Sequence, residues 1–365
     1  MRNRKKIVRS VCLTLLALVL LACGIVGSAR LINANEYRIV SDTGVDEQFF
    51  LDIGGLQQFV QIRGECTSNS VIVFVHGGPA NPLPHLAYHF QRGLERDFTI
   101  VHWDQRSSGR TYFENLDVDQ PDVSLDLILR DMDEIVDYVR ERFATRQVIV
   151  VGHSWGTVVG GQYVQRHPEK VEAFIAVSQV VNVRQGVGIT AREMLAGEQD
   201  GRTSRADASE LTNLIEQLEM TEEYSPDLLH YFNRIPMLAH SNLPHEHQRS
   251  IPVTVWASAS SPVINVTDLR WFLTIISAEE FERIQTSILQ ESFSYDARDR
   301  AAQFAVPVLF IVGDNDWLTP VELIEDYYVR VGAPHKELTI LGGVGHNPLL
   351  EVPDQVHTAI VDFLE

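Results

Sequence analysis

Val148-Ile149-Val150-Val151-Gly152-His153-Ser154-Trp155-Gly156 decides how this chain folds. Four consecutive β-branched apolar residues read as a buried strand. The G-x-S-x-G that follows reads as a nucleophile elbow, a sharp strand-to-helix turn that lifts its central side chain out of the sheet on strained backbone. Only small residues two places to either side avoid a clash there, and Gly152 and Gly156 meet that need. The motif alone is common by chance. Its context is what gives it meaning: a strand before it and a helical pattern over Val158 to His167 after it.

Working outward, strands and amphipathic helices alternate. Val71 to Val75 reads as a buried strand ending at His76-Gly77-Gly78-Pro79, followed by a helix over Pro84 to Arg96 and a strand over Phe98 to Asp104. Ser124 to Phe143 carries Leu125, Ile128, Leu129, Met132, Ile135, Val136 and Val139 at helical spacing, with Ser124 as its cap. A further strand covers Val171 to Val177. Short alternating runs between Glu36 and Arg63, such as Gln57 to Ile62, predict antiparallel strands leading into this sheet. The pattern implies a mainly parallel sheet with helices on both faces.

Beyond Gln179 the alternation stops. Residues 179–302 are polar, acidic and helix-like, too long for a loop between two strands, and are expected to form a helical cap. The sheet resumes at Val306 to Val312, with a helix near Pro320 to Val331, a strand over Glu337 to Leu341 and a last helix from Val352-Pro353. The expected organisation is an N-terminal segment 1–32, a core in two parts, 33–178 and 303–365, and the cap 179–302 between them.

Charge limits the partners. The chain of 365 residues has 30 basic and 49 acidic side chains. Six of the basic ones lie in the first 30 residues, leaving a body with 24 against 49, or −25. Phosphate backbones need clustered Lys and Arg, so nucleic acid is excluded as a partner. Cys12 and Cys23 sit in the leader, and Cys66 alone in the body supports neither a disulfide framework nor a cysteine zinc site.

The leader has a basic start and then nineteen uncharged residues, Val11 to Ala29. As a helix these span about 28 Å, close to the thickness of a bilayer's hydrocarbon core. Three readings fit: an uncleaved anchor, a lipoprotein signal at Leu20-Leu21-Ala22-Cys23, or a secretory signal cleaved near Gly27-Ser28-Ala29. All three leave the basic end in the cytoplasm and the body outside.

A serine hydroxyl needs a base within reach and an acid to orient that base. Behind an elbow of this kind the partners follow in the order serine, acid, histidine. Past the cap, Asp314-Asn315-Asp316 follows a strand, and His346 lies in the glycine-rich loop Gly342 to Pro348 after the last one. Each stands at a strand's carboxyl end, the edge that carries Ser154. Asp314 and Asp316 both qualify as the acid. Oxyanion donors are expected from the amide of Trp155 and from Gly78 in the loop after the Val71–Val75 strand. Asp104 and Arg106 read as braces for that edge. His240, His245 and His247 lack metal-site spacing, and Asn265-Val266-Thr267 matches a glycosylation sequon.

His76-Gly77-Gly78-Pro79, Trp103-Asp104-Gln105-Arg106-x-x-Gly109-Arg110 and Gly152-His153-Ser154-Trp155-Gly156 together resemble the prolyl-iminopeptidase-like branch of the α/β-hydrolases, over roughly residues 50–180 and 303–365. The resemblance implies an α/β-hydrolase fold and a cofactor-free, metal-free serine hydrolase with Ser154, Asp316 and His346 as its triad. It also implies a small peptide, amide or ester as substrate. Three positions depart from the family pattern: Ala80 and Ser107 stand where it has glycine, and Thr111 where it often has serine. Iminopeptidases hold the substrate's amino group with acidic cap residues. This cap offers Glu193, Glu198, Glu210, Glu216, Glu222, Glu223, Glu279, Glu280 and Glu291, and the sequence does not choose among them. A carboxylesterase with the same triad is the alternative, and a non-catalytic tethered binding protein the remote one. Epoxide hydrolases and dehalogenases usually carry Asp at the elbow, where this chain has Ser154.

Overall fold

The computed structural model describes residues 2–118, 122–199, 201–220, 235, 238–239, 242 and 250–365. An apolar helix, α1 (Arg2–Glu36), precedes the antiparallel pair β1 (Val45–Ile53) and β2 (Leu56–Gly64). Then come β3 (Val71–Val75), the short helices α2 (Ala87–Phe90) and α3 (Leu94–Asp97), β4 (Thr99–Trp103), α4 (Gly109–Glu114), α5 (Leu125–Arg142), β5 (Val148–His153), α6 (Trp155–Arg166) and β6 (Val171–Val177). The described segments between β6 and the next strand are helical: α7 (Val183–Ala196), α8 (Arg205–Met220), α9 (Ser250–Ser260), α10 (Val266–Ile276), α11 (Ala278–Ser294) and α12 (Ala297–Arg300). The chain closes with β7 (Val308–Gly313), α13 (Val321–Arg330), β8 (Lys336–Leu341), α14 (Pro348–Glu351) and α15 (Pro353–Leu364).

The sheet runs β1-β2-β4-β3-β5-β6-β7-β8, antiparallel at its first two pairings and parallel in the rest. Chain order reverses around β3, because β4 lies on one side of it and β5 on the other. In open parallel sheets the crevice at such a reversal is where ligands bind. The loop after β3 and the elbow after β5 therefore face each other there, in register through Val75 and Gly152.

β5 shows why its sequence reads as continuous apolar residues rather than an alternating pattern. Val148 and Val150 enter one core with α5 and α6, while Ile149 and Val151 enter a second core on the opposite face with Phe90, Leu349 and Ile360. Each such fully buried side chain contributes about 1.5–3 kcal/mol. Helix α5 buries the seven apolar residues that its periodicity singles out, and Ser124 Oγ accepts from Leu127 N at its start. The expected helix over Pro84 to Arg96 is instead two short ones, interrupted between Gln91 and Gly93.

Helix α1 is apolar and mostly exposed over Leu13–Glu36, 24 residues whose most apolar 18-residue stretch has a mean hydropathy of 2.3. Its far end is fixed to the body: Arg30 Nε donates to the Ala259 carbonyl and Asn33 Nδ2 to that of Ser260, both at 2.8 Å. Just beyond, Arg63 donates to the Tyr37 carbonyl and stacks over its ring, while its Nε meets the fully buried Glu95 at 2.7 Å.

Candidate active site

Ser154 sits at φ 52°, ψ −122°, a conformation that costs an L-residue about 1–3 kcal/mol. The neighbouring glycines make it possible. A Cβ on Gly152 would lie 2.5 Å from the Gly156 carbonyl, and one on Gly156 would run into the carbonyl of Val75. The turn is tied down by Ser154 N donating to Val177 O at 3.0 Å and by Thr157, whose hydroxyl donates to Ser154 O at 2.7 Å.

The structure brings Ser154, His346 and Asp316 together from three different strand ends. Ser154 Oγ is 3.0 Å from His346 Nε2, and His346 Nδ1 lies 2.9 and 3.0 Å from the two carboxylate oxygens of Asp316. Burial by itself would raise the Asp316 carboxyl. The His346 ring and the Thr319 side chain and backbone outweigh it and hold the carboxyl below its usual range. Asp316 also accepts from Leu318 N, Thr319 N and the Thr319 hydroxyl, at 3.0, 2.9 and 2.6 Å. The fixed carboxylate therefore pins the imidazole with Nδ1 protonated and Nε2 free to accept the serine proton. Asp314 is exposed and turned elsewhere, capping Gly343 N at 2.7 Å. Gly78 and Trp155 line one cavity with Ser154.

This chain's profile matches the α/β hydrolase fold over residues 70–353. The chain belongs to the α/β hydrolase family. Among curated proteins it is similar to the probable aminopeptidase YbaC of Bacillus subtilis (strain 168), 25% identical over 304 residues that cover 83% of this chain and 91% of that one. The proline iminopeptidase of Heyndrickxia coagulans is 22% identical over 326 residues, covering 86% and 97%. Among solved structures, the proline iminopeptidase of Mycobacterium smegmatis superposes with a TM-score of 0.62 at 17% identity, over 87% of this chain and 97% of that one.

Around the three reacting positions this α/β hydrolase has supports that sequence reading did not single out. His153, inside the elbow, and the Ser178 hydroxyl both bond the His346 carbonyl, at 3.0 and 3.1 Å. Burial lowers the His153 imidazole to about 4, so its ring is neutral and Nε2 can donate to that carbonyl. Glu351 clasps the loop by accepting from Gly345 N and Asn347 N at 3.0 and 3.2 Å. No motif specifies either His153 or Glu351: His153 occupies the variable position of the elbow and Glu351 lies in the helix after the loop.

The Trp103–Arg106 stretch braces the edge. Arg106 forks onto the buried Asp131 of α5 at 2.6 and 2.5 Å. Gln105 N donates to His76 Nε2 at 3.1 Å, and Gln105 Nε2 returns to the His76 carbonyl at 3.1 Å, lacing this loop to the His76–Pro79 loop. Asp104 Oδ2 accepts from Arg110 N at 2.9 Å; burial pushes its carboxyl up to about 7.

None of the described cap acids lines either cavity at Ser154. Glu291 instead caps α5, accepting from Leu125 N at 2.8 Å, and Glu280 pairs with Arg283. Glu222, Glu223, His240, His245 and His247 lie outside the described residues. The sequon's Asn265 is the N-cap of α10 in a reciprocal capping box with Asp268, which also forks onto Arg110.

Proposed function

We propose that this α/β hydrolase is a serine hydrolase working through an acyl-enzyme. Ser154 attacks the substrate carbonyl while His346 Nε2 takes its proton; Asp316 steadies the resulting imidazolium. The amides of Gly78 and Trp155 receive the oxyanion, His346 returns the proton to the leaving group, and water then cleaves the acyl-serine by the same steps. The observation that carries this reading is the unbroken line of hydrogen bonds from Ser154 Oγ through His346 to Asp316, with Ser154 half-buried at the elbow where it lines both cavities. The names of the similar curated proteins support a peptide or amide bond, an N-terminal prolyl residue being the acyl group to try first. A second reading, a carboxylesterase on the same residues, draws support from the absence of Asp, Glu, Lys or Arg among the described residues lining the two cavities.

Residues 179–302 are read as a cap domain, because side chains of α7, α9 and α11 supply walls of those cavities. The apolar α1 is read as a membrane anchor that holds the body on the extracytoplasmic side, in line with its basic start. A fluorophosphonate probe tests the central reading. It should label the full chain and fail to label Ser154→Ala; a folded wild-type protein that takes no label would overturn it.

A further inference from the structure

Ser154 stands where two cavities meet, and their walls assign the two ends of the substrate. One cavity holds Trp155, shares Gly78 and Leu318 with the other, and runs beneath Val187 of α7, Leu289 and Phe293 of α11, and Leu323. The other holds His346 and Asn347 and runs beneath Thr254, Val255 and Ser258 of α9. A leaving group must take its proton from His346 Nε2, so it belongs in the second cavity. With the carbonyl oxygen toward Gly78 and Trp155, the acyl chain is left with the first.

We infer that the first cavity is an acyl-chain site and that the enzyme prefers esters of uncharged, extended apolar acids. The inference rests on Ser154 acting as the nucleophile. No described lining residue of that cavity carries a charge. Most of its polar side chains are already engaged: Asn182 caps α7 and donates to Asp296, Thr319 donates to Asp316, and Ser292 donates to the Ile288 carbonyl, while Trp155 Nε1 is buried without a partner among the described residues, a donor for one acceptor. Gln179 donates to Val180 O, and its Oε1 is buried without a partner among the described residues, an acceptor for one N–H or O–H but no counter-ion. An apolar chain gains from such a lining in proportion to the surface it hides. Among the described residues an ammonium beside the carbonyl would find no carboxylate partner there.

Such an ester could come from solution or from a bilayer. The second source has a structural basis, because α9, which walls the leaving-group cavity, is the helix to which α1 is fixed through Ala259 and Ser260.

The test uses the full chain in detergent and in phosphatidylcholine vesicles, with p-nitrophenyl acetate, butyrate, octanoate and decanoate, and prolyl p-nitroanilide beside them. Expected is a kcat/KM that climbs up to about fourfold per methylene until the cavity is full. Leu323→Trp and, from α11, Leu289→Trp should shift the octanoate-to-acetate ratio at least about tenfold toward acetate. The second variant covers the case in which the first does not fold. A flat or falling chain-length profile, or preference for the prolyl anilide, in a protein that still takes fluorophosphonate overturns the inference and leaves the serine hydrolase standing. A folded wild type that takes no label overturns both. Faster octanoate turnover in vesicles than in detergent supports the bilayer as source, and equal or slower turnover supports a soluble ester.

Discussion

At the carboxyl edge of the sheet, each side chain of the proposed triad is held by a tight turn or by hydrogen bonds to loop backbone. Ser154 is trapped by Gly152 and Gly156, Asp316 by the amides of Leu318 and Thr319, and the His346 loop by Glu351. The helices between β6 and β7 are held differently. Val187, Ala191, Met194, Leu211, Leu214 and Phe293 form an apolar core of their own, joined to the sheet body by side-chain hydrogen bonds such as Arg110 to Asp268 and Thr190 to the Trp317 carbonyl. Hydrogen-bonded backbone fixes positions to fractions of an ångström, while apolar packing fixes shape and exclusion of water. On the proposed function, chemistry belongs to the first region and substrate choice to the second.

The sharpest way to break that division is at the edge. Ser154→Ala and His346→Ala should each lower kcat by about 10⁴-fold or more, read by ester turnover, with thermal unfolding close to wild type. Asp316→Asn should cost about 10³–10⁴-fold by reversing the imidazole tautomer. Asp314→Asn, which only loses the cap on Gly343, should stay within about twofold of wild type in the same assay. Equal losses at the two aspartates would remove Asp316 from its role.

Next in size is the brace behind the edge. Burial raises the Asp131 carboxyl even against its arginine partner, so its charge depends on Arg106 and Gln58. Arg106→Met should destabilise the protein by about 3–5 kcal/mol in urea unfolding, because it leaves that carboxylate uncompensated. Arg142→Met, which breaks an exposed pair with Glu47, should cost about 1 kcal/mol or less.

Acid should act on the sheet side of the comparison too. Burial lowers His76, His85 and His153 to about 4 and His102 to about 3. In the unfolded chain they titrate near 6.5, so between these values the unfolded state binds more protons and stability rises with pH. Their contribution is complete above about pH 6.5 and is lost as the pH falls toward 4. Asp104, raised to about 7, works in the opposite sense: its contribution is present below about pH 4 and is lost as the pH rises through 7. Asp131, raised as well, works in the same sense as Asp104; four groups outweigh two, so urea midpoints should fall from pH 7 to pH 5. His102→Gln should flatten that slope by up to one proton's worth.

Much of the edge was legible because its constraints are local. A strand followed by small residues at fixed offsets can do little else, and Asp316 and His346 follow their strands in order. The helical segment was legible only as helix. The sequence offers its acids only as unranked candidates for holding an amino group, and Glu291 caps α5, a contact 166 residues away in sequence. Asn265 matched a sequon because a helix cap and a glycosylation acceptor ask for similar residues. His153 and Glu351 carried no signal, since what they hold is a loop carbonyl and two loop amides rather than anything periodic.

The smallest effect lies where the two regions join. Ala80 and Ser107, which stand where the family pattern has glycine, adopt φ 69° and 58°, the left-handed region that glycine enters freely. Their carbonyls are the ones the helices grip: Trp271 Nε1 donates to Ala80 O at 2.9 Å and Gln285 Nε2 to Ser107 O at 2.8 Å. A Cβ in left-handed backbone costs about 1–2 kcal/mol, and glycine gives back about 0.5–1 kcal/mol in the unfolded chain. Ala80→Gly and Ser107→Gly should therefore each stabilise by about 0.5–1 kcal/mol in urea unfolding, and additively, because the two sites share no partner. Combining either with loss of its grip, Trp271→Phe or Gln285→Met, locates what holds the strain. If the helices force these turns, the glycine gain shrinks once the grip is gone. If the edge alone sets them, the gain is unchanged, and the junction belongs with the sheet rather than with the helices above it.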